Sequence, residues 1–220
     1  MDAVLDLFRV LYEPTAVFQR VREKPRFLAP FLILAAIVVV IGIVQLPYVK
    51  AAMAAQFAQT PNMTPEQTRA ALKLAPLGIV FAPIIYAIFL LLNGFILWIG
   101  VSVFGGEAKF ATLLSVTTYV SITYTLLQII GVIVLMMRGP GGVASMVDLQ
   151  PALGLDLLAP DAKGFALAFL RGINPFTLYG LFLTSLGITV THQTSKATGY
   201  AAATIQFVIA LCLGALLSKG

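Results

Sequence analysis

Five uncharged apolar stretches, each long enough to cross a lipid bilayer, occupy more than half of this sequence. They cover residues 28–49, 77–104, 110–137, 173–191 and 198–217, and none of them contains Asp, Glu, Lys or Arg. A helix of about 20 apolar residues matches the roughly 30 Å hydrocarbon core of a bilayer. With 60% hydrophobic and 10% charged residues, the composition differs from that of a soluble globular domain. The sequence therefore predicts an all-α integral membrane bundle of five transmembrane helices.

The residues before the first stretch form an amphipathic interfacial segment, here called the leader (residues 1–26), ahead of a transmembrane domain at 27–220. Its pattern predicts two short helices separated at Glu13 and Pro14, because proline suits a first helical position. On the first helix one apolar face lies opposite the charged residues Asp2, Asp6 and Arg9; that face comprises Val4, Phe8, Leu11 and Tyr12. Such a segment lies in the headgroup region with its apolar side in lipid, or it docks on another protein.

Basic residues are concentrated in the leader, and the net charge of the chain is +5. A candidate membrane-surface cluster directly precedes the first span and consists of Arg20, Arg22, Lys24 and Arg26. Its position favours anionic lipid headgroups over nucleic acid as the partner. The fourteen Lys and Arg residues divide equally between the two sides of a five-span chain, so the cluster decides the orientation. We expect a cytoplasmic N-terminus, retained without signal cleavage, and an outside C-terminus.

The connecting segments also carry local signals. The order Thr64, Pro65, Glu66, Gln67 is that of a capping box, which predicts a helix over residues 65–74. The short turn at 105–109 makes the second and third spans antiparallel neighbours. Residues 143–164 mix apolar residues with Asp, Pro and Gly. We expect this segment to rest on the membrane surface or cap the bundle, with re-entry into the membrane as the alternative.

Polar residues follow one line along the third span: Thr117, Ser121, Tyr124 and Gln128. At 100° per residue these spacings keep the four side chains within about 60° of one another, so they form a polar stripe. Lipid would leave such groups unpaired, and the stripe should turn toward other helices or water. The stripe therefore forms hydrogen bonds that hold the bundle together. The alternative is that it lines a polar cavity or contacts a helix of a partner.

Reactive chemistry is sparse. His192 is the one histidine and has no neighbouring ligand in the sequence, so we expect a hydrogen-bonded interfacial residue rather than a metal site. Cys212 lies in the last span and is expected to be a small buried apolar residue. Asn93 and Gln45 are expected to form hydrogen bonds between helices. With no catalytic triad, zinc-binding or phosphate-loop motif, the sequence predicts no catalytic residues, no metal and no cofactor.

Three short motifs, in this order and spacing, resemble those of the Ypt/Rab-interacting-protein (Yip) family of five-span membrane proteins. They are Tyr-Glu-Pro-Thr-Ala-Val-Phe at 12–18 with basic residues at 20, 22 and 26; Gly-Gly-Glu-Ala-Lys-Phe at 105–110; and Asn-Pro-Phe-Thr-Leu-Tyr-Gly at 174–180, followed by Leu-Gly at 186–187. The resemblance implies five helices, a cytoplasmic N-terminus and no catalysis. It covers nearly the whole chain.

The resemblance also implies a class of function. Eukaryotic members bind prenylated small GTPases in membrane trafficking, whereas bacterial relatives resemble accessory membrane subunits, sometimes beside ABC exporters. The sequence has no long Gln/Pro-rich extension before its first span, which favours the bacterial type. The resemblance therefore implies a location in the bacterial inner (cytoplasmic) membrane. We therefore expect a non-enzymatic membrane scaffold or accessory subunit. Its expected partners are membrane lipids and a membrane protein or a second copy of the chain. The alternative is a small transporter or lipid-handling channel that uses the polar stripe.

Overall fold

The computed structural model describes residues 2–104, 106–150 and 152–218, and within these ranges the chain is helical. In chain order the α-helices are α1 (Asp2–Arg9), α2 (Pro14–Glu23), α3 (Leu28–Ala58), α4 (Pro65–Leu74), α5 (Leu77–Val103), α6 (Phe110–Val120), α7 (Ile122–Arg138), α8 (Gly164–Gly172), α9 (Pro175–His192) and α10 (Lys196–Leu217). Three short 3₁₀ helices lie between α7 and α8, at Pro140–Gly142, Met146–Leu149 and Leu155–Leu158.

Four segments of the described chain are long and apolar enough to span a membrane: α3, α5, α6 with α7, and α10. A fifth span is formed if α8 and α9, which meet at a bend of 59°, are taken together. The predicted all-α membrane bundle is thus confirmed, with four to five candidate spans. The bend follows from the local sequence, because Pro175 has no N–H to continue α8 and Asn174 caps the new helix.

The end of the first span differs from the expectation, because mainly apolar residues continue beyond Lys50. The first span was expected to end near residue 49, but α3 runs through Pro47 and Lys50 to Ala58. In contrast, α4 begins and ends where the capping signals predict. Thr64 Oγ1 accepts a hydrogen bond from the Gln67 N–H at 3.2 Å, and Gln67 Oε1 accepts one from the Thr64 N–H at 2.9 Å.

The chain divides into two compact units. Unit 1 contains the chain up to Leu34, Ala87–Tyr124 and the part from Leu153 onward; unit 2 contains Ala35–Tyr86 and Thr125–Ala152. In unit 1, α9 packs against α2, α6 and α10, and α10 also packs against α8. A buried apolar cluster joins α5, α6, α9 and α10 and consists of Leu97, Val101, Leu113, Ile188, Ala202 and Ala203.

Glycines allow the helices of unit 1 to approach closely. A Cβ at Gly187 would lie 2.6 Å from Val116 Cγ1 and 3.2 Å from the Phe18 ring. A Cβ at Gly199 would overlap Thr189 Oγ1 and lie 2.7 Å from the Ser185 carbonyl oxygen. These positions therefore fix the contacts of α9 with α2, α6 and α10, as small residues do in membrane bundles.

Unit 2 has a smaller buried cluster, formed by Tyr48, Ala52, Leu135 and Val143. Leu149, from the second 3₁₀ helix, packs against it. Asp148 orders the preceding turn, since its Oδ2 accepts hydrogen bonds from the Ala144 N–H at 2.9 Å and the Ser145 N–H at 2.8 Å.

The segment expected to cap the bundle or to re-enter the membrane forms the second and third 3₁₀ helices and connecting turns. Its unit 1 part is tied to the bend between α8 and α9. The buried carboxylate of Asp156 accepts from Arg171 Nε at 2.9 Å and from the Gly154 N–H at 3.0 Å. The Leu155 N–H donates to the Ile173 carbonyl, also at 3.0 Å. The ion pair allows a charged residue to be buried there, because each charge has a partner.

Candidate functional site

The polar stripe of the third span lies only partly within the protein. Thr117, Ser121 and Gln128 are half-buried, and Tyr124 is 44% exposed. Tyr124 stacks on Phe89 of α5, with ring centroids 6.4 Å apart. Thr117, Ser121 and Tyr124 belong to unit 1, whereas Gln128 belongs to unit 2. The stripe therefore presents polar groups at a surface as well as toward neighbouring helices.

Other polar residues of the same span are more deeply buried: Thr112, Ser115, Thr118, Thr123 and Thr125. Many hydroxyls of this span donate to backbone carbonyls of the same span. Examples are Thr118 Oγ1 to the Leu114 carbonyl at 2.8 Å and Thr117 Oγ1 to the Leu113 carbonyl at 3.0 Å. This pattern lets hydroxyls be buried or exposed to lipid at low cost. Sequence periodicity identified polar positions on the span but could not tell which of them are buried, because burial depends on packing against other helices.

The span is interrupted at Ser121, where α6 ends and α7 begins at Ile122. The Ser121 side chain donates to the Thr118 carbonyl at 2.7 Å, and its backbone N–H donates to the Thr117 carbonyl at 3.0 Å. The interruption lies in the middle of the stripe. It places a local irregularity of the backbone beside the exposed Tyr124.

The leader forms the two predicted helices. Within unit 1 it packs against α6 and α9. Its inward side includes Leu7, Val10, Val17, Phe18 and Val21, all buried. The predicted apolar face of α1 is directed away from the protein, with Phe8 and Tyr12 exposed, whereas Asp6 on the opposite side is buried, which the sequence did not predict. The physical reason is that Asp6 has a partner, because Arg20 donates to its two carboxylate oxygens at 2.6 and 2.9 Å.

Two tyrosines of the bundle hold the leader by hydrogen bonds to its backbone. The hydroxyl of Tyr179 on α9 donates to the Leu11 carbonyl at 2.7 Å. The hydroxyl of Tyr119 on α6 lies 3.4 Å from the Ala3 carbonyl. Together with the burial of Phe18 against Gly187, these contacts fix both leader helices to α6 and α9.

The candidate basic cluster is divided by the fold. Arg20, Lys24 and Arg26 line one pocket of about 250 Å³, here called the basic pocket, whose other lining residues are Ala3, Asp6, Val21, Glu23 and Tyr119. Arg22 is directed elsewhere. With the Gln193 amide oriented so that its oxygen faces Arg22, both terminal guanidinium nitrogens donate to that oxygen at 2.9 Å.

Asn93 and His192 are hydrogen-bonded, as predicted, whereas the bond predicted for Gln45 is not found among the described residues. Gln206 on α10 donates to Asn93 Oδ1 on α5, and Asn93 Nδ2 donates to the Phe89 carbonyl at 2.8 Å. His192 Nε2 accepts from the Lys109 N–H at 3.2 Å. Its Nδ1 lies 2.8 Å from Thr191 Oγ1 and is therefore assigned as the protonated nitrogen. These contacts pin the turn after α5 to the end of α9.

No group of three His, Cys, Asp or Glu residues in the described ranges is arranged to hold a metal ion. The chemistry that this fold brings together is therefore of two kinds. One is the partly exposed polar stripe, and the other is the basic pocket between the leader and α6.

Comparison with known proteins identifies a family and a bacterial relative. The Yip1 domain family model matches residues 8–218. The chain is 28% identical over 206 residues to "Membrane protein YknW" of Bacillus subtilis (strain 168), an alignment that covers 92% of this chain and 85% of that protein. No solved structure matches the chain.

Proposed function

Because this chain belongs to the Yip1 domain family and is an integral membrane protein, we propose that it acts without catalysis as an accessory subunit that holds a partner membrane protein. The proposed contact is the polar stripe. The proposed partner is a protein with several membrane spans, such as the membrane domain of an ABC exporter. The relative in Bacillus subtilis is itself named as a membrane protein.

The observation that carries this proposal is the exposed side chain of Tyr124, on a face of the third span that also carries half-buried hydroxyl residues. Thr117 and Ser121, which are half-buried beside it, extend the same surface along the helix. An aromatic side chain flanked by small hydroxyl residues suits close packing of another transmembrane helix.

The leader supports a scaffold rather than a moving gate. It is held by the Asp6–Arg20 ion pair and by the Tyr179 hydroxyl, so it forms a fixed surface next to the first span. In the proposed orientation this surface faces the cytoplasm of a bacterium, because the basic residues 20–26 immediately precede α3. The C-terminus then lies outside.

A photo-crosslinking amino acid at position 124 tests the proposal in native membranes. The matched control is position 92, since Leu92 is also on an apolar span and is 43% exposed. The expected result is an adduct from position 124, identified by mass spectrometry as one multispan membrane protein, and none from position 92. The adduct should be lost in Ser121→Leu, which removes the hydroxyl beside the crosslinker. Equal adducts at both positions, or lipid adducts alone, would contradict the proposal.

The alternative function, a small transporter or lipid-handling channel, uses the same stripe and makes a different prediction. In reconstituted vesicles, replacement of Ser121 and Gln128 by Leu should abolish flux through a conduit. An accessory subunit shows no flux of its own, and its variants differ only in partner capture. Flux from the purified wild-type protein that disappears in the double variant would replace the subunit proposal.

A further inference from the structure

The basic pocket joins the leader to the start of the first span. Asp6 and Ala3 come from α1, Arg20 and Glu23 from α2, Tyr119 from α6, and Lys24 and Arg26 from the link into α3. Three basic and two acidic side chains leave the pocket with one net positive charge. Its volume of about 250 Å³ equals that of roughly eight water molecules at ~30 Å³ each. The pocket is thus large enough for a phosphate with a small polar substituent.

The two acidic residues have different roles in this pocket. Asp6 is buried and already accepts two hydrogen bonds from Arg20, so this carboxylate serves to hold the wall. Lys24 and Arg26 are exposed, and neither belongs to an ion pair among the described residues. Glu23 is also exposed and offers carboxylate oxygens beside these cations. The available groups are therefore two cationic donors and one anionic acceptor.

From this arrangement we infer that the basic pocket binds a phosphodiester headgroup that carries a hydroxyl substituent. Lys24 and Arg26 donate to the phosphate oxygens, and Glu23 accepts from the substituent hydroxyl. A phosphodiester carries one negative charge, which matches the net charge of the pocket. The binding is independent of any partner protein, so it does not rest on the proposed function.

The surroundings favour a lipid as the source of that phosphate. Arg26 is followed directly by Phe27 and Leu28, which are 37% and 59% exposed and begin the first span. A headgroup in the pocket would place its acyl chains beside such apolar side chains, at the level where basic residues meet anionic lipids. Leu5 and Phe8 on α1 add exposed apolar surface on the helix that supplies Asp6.

The test uses the full chain purified in a neutral maltoside detergent and titrated with short-chain phosphatidylglycerol. Binding should be saturable, and Lys24→Gln with Arg26→Gln should weaken it by about tenfold or more, because each basic group near an anionic lipid contributes measurably. The charge-matched control is Arg69→Gln with Lys73→Gln, which removes two exposed positive charges on α4, outside the pocket. That control should change the affinity by less than about twofold.

Two further arms complete the experiment. Lys24→Arg with Arg26→Lys keeps both charges and should retain binding, which separates loss of charge from loss of structure. Inorganic phosphate added as a competitor distinguishes the source: displacement of the lipid means that the pocket also takes free phosphate, and no displacement means that it requires the lipid. Equal weakening in the pocket variant and the control variant, or titration without saturation, would overturn the inference.

Discussion

Unit 1 and unit 2 are both built from apolar helices, but the contacts that hold the helices within each unit are of different kinds. Unit 1 combines close glycine contacts, two buried carboxylates in ion pairs and a hydrogen bond between Asn93 and Gln206. Unit 2 has a small apolar cluster around Tyr48 and Leu135, and its polar bonds are mainly local turns and caps. The difference indicates that steric fit and paired polar groups specify the helix contacts of unit 1. Membrane insertion alone cannot do so, because lipid solvates an apolar helix as well as another helix does.

The largest expected effect is at a glycine contact of unit 1. Gly199→Ala places a methyl group 2.7 Å from the Ser185 carbonyl oxygen, and a backbone atom cannot easily move away. We expect a loss of roughly 2–3 kcal/mol in the free energy of unfolding, as for overpacked cores. The measurement is unfolding by SDS titration in mixed micelles.

Gly42→Ala in unit 2 is the matched control for Gly199→Ala in the same SDS titration. Its new methyl group would lie 3.3 Å from the Ile79 side chain, which can adjust, and alanine favours the helix by about 1 kcal/mol. We expect a net change within about 1 kcal/mol in either direction. Similar losses from the two substitutions would show that the units do not differ in packing.

An intermediate effect is expected from the ion pair that fixes the leader. Asp6→Ala removes the partner of Arg20, but Arg20 is 41% exposed and water replaces part of the interaction. We expect a loss of about 1.5 kcal/mol and faster amide exchange throughout α1 and α2. Hydrogen exchange read by mass spectrometry separates these peptides from the rest of unit 1.

The corresponding change in unit 2 is Asp148→Ala, which removes the acceptor for the Ala144 and Ser145 N–H groups. Its effect on exchange should stay within the turn at residues 143–149. If Asp6→Ala increased amide exchange only at the residues next to position 6, the result would show that the ion pair does not fix the leader.

The smallest effect is expected at the cap of α4. Thr64→Ala removes the hydroxyl that accepts from Gln67 N–H, at a cost of about 0.5–1 kcal/mol to the local helix. Because α4 has no buried residues, local unfolding of this helix should increase amide hydrogen exchange at residues 64–74. The midpoint of unfolding by SDS should stay unchanged. Thr68→Ala, which removes a hydroxyl outside the capping box, is the control, and a global shift in either variant would contradict the local role.

Several features were predictable because their signals are local. The capping box identified the start of α4, and the family motifs identified a relationship that the match over residues 8–218 confirms. The expected hydrogen-bonded roles of His192 and Asn93 were also correct, since an isolated polar group in a span must find a partner. The polar stripe as a partner contact and the basic cluster as a lipid site stay predictions.

Other features depended on contacts distant in sequence. Asp6 was expected on the charged face of α1, but its burial was not predicted, because its partner Arg20 lies fourteen residues away along the chain and reaches it only after α2 folds back. The bend between α8 and α9 and the extension of α3 to Ala58 also changed the expected limits of the spans. Helical periodicity describes one helix and contains no information about its neighbours.

The sequence by itself determined that this chain is a helical membrane protein and where its spans lie approximately. Each apolar segment partitions into lipid through its own side chains, so this property is additive along the chain. The tertiary structure decided which polar residues are buried, how the leader is docked and which cations share a pocket. These outcomes depend on close approach between helices, and at Gly187 and Gly199 the presence or absence of one methyl group controls that approach.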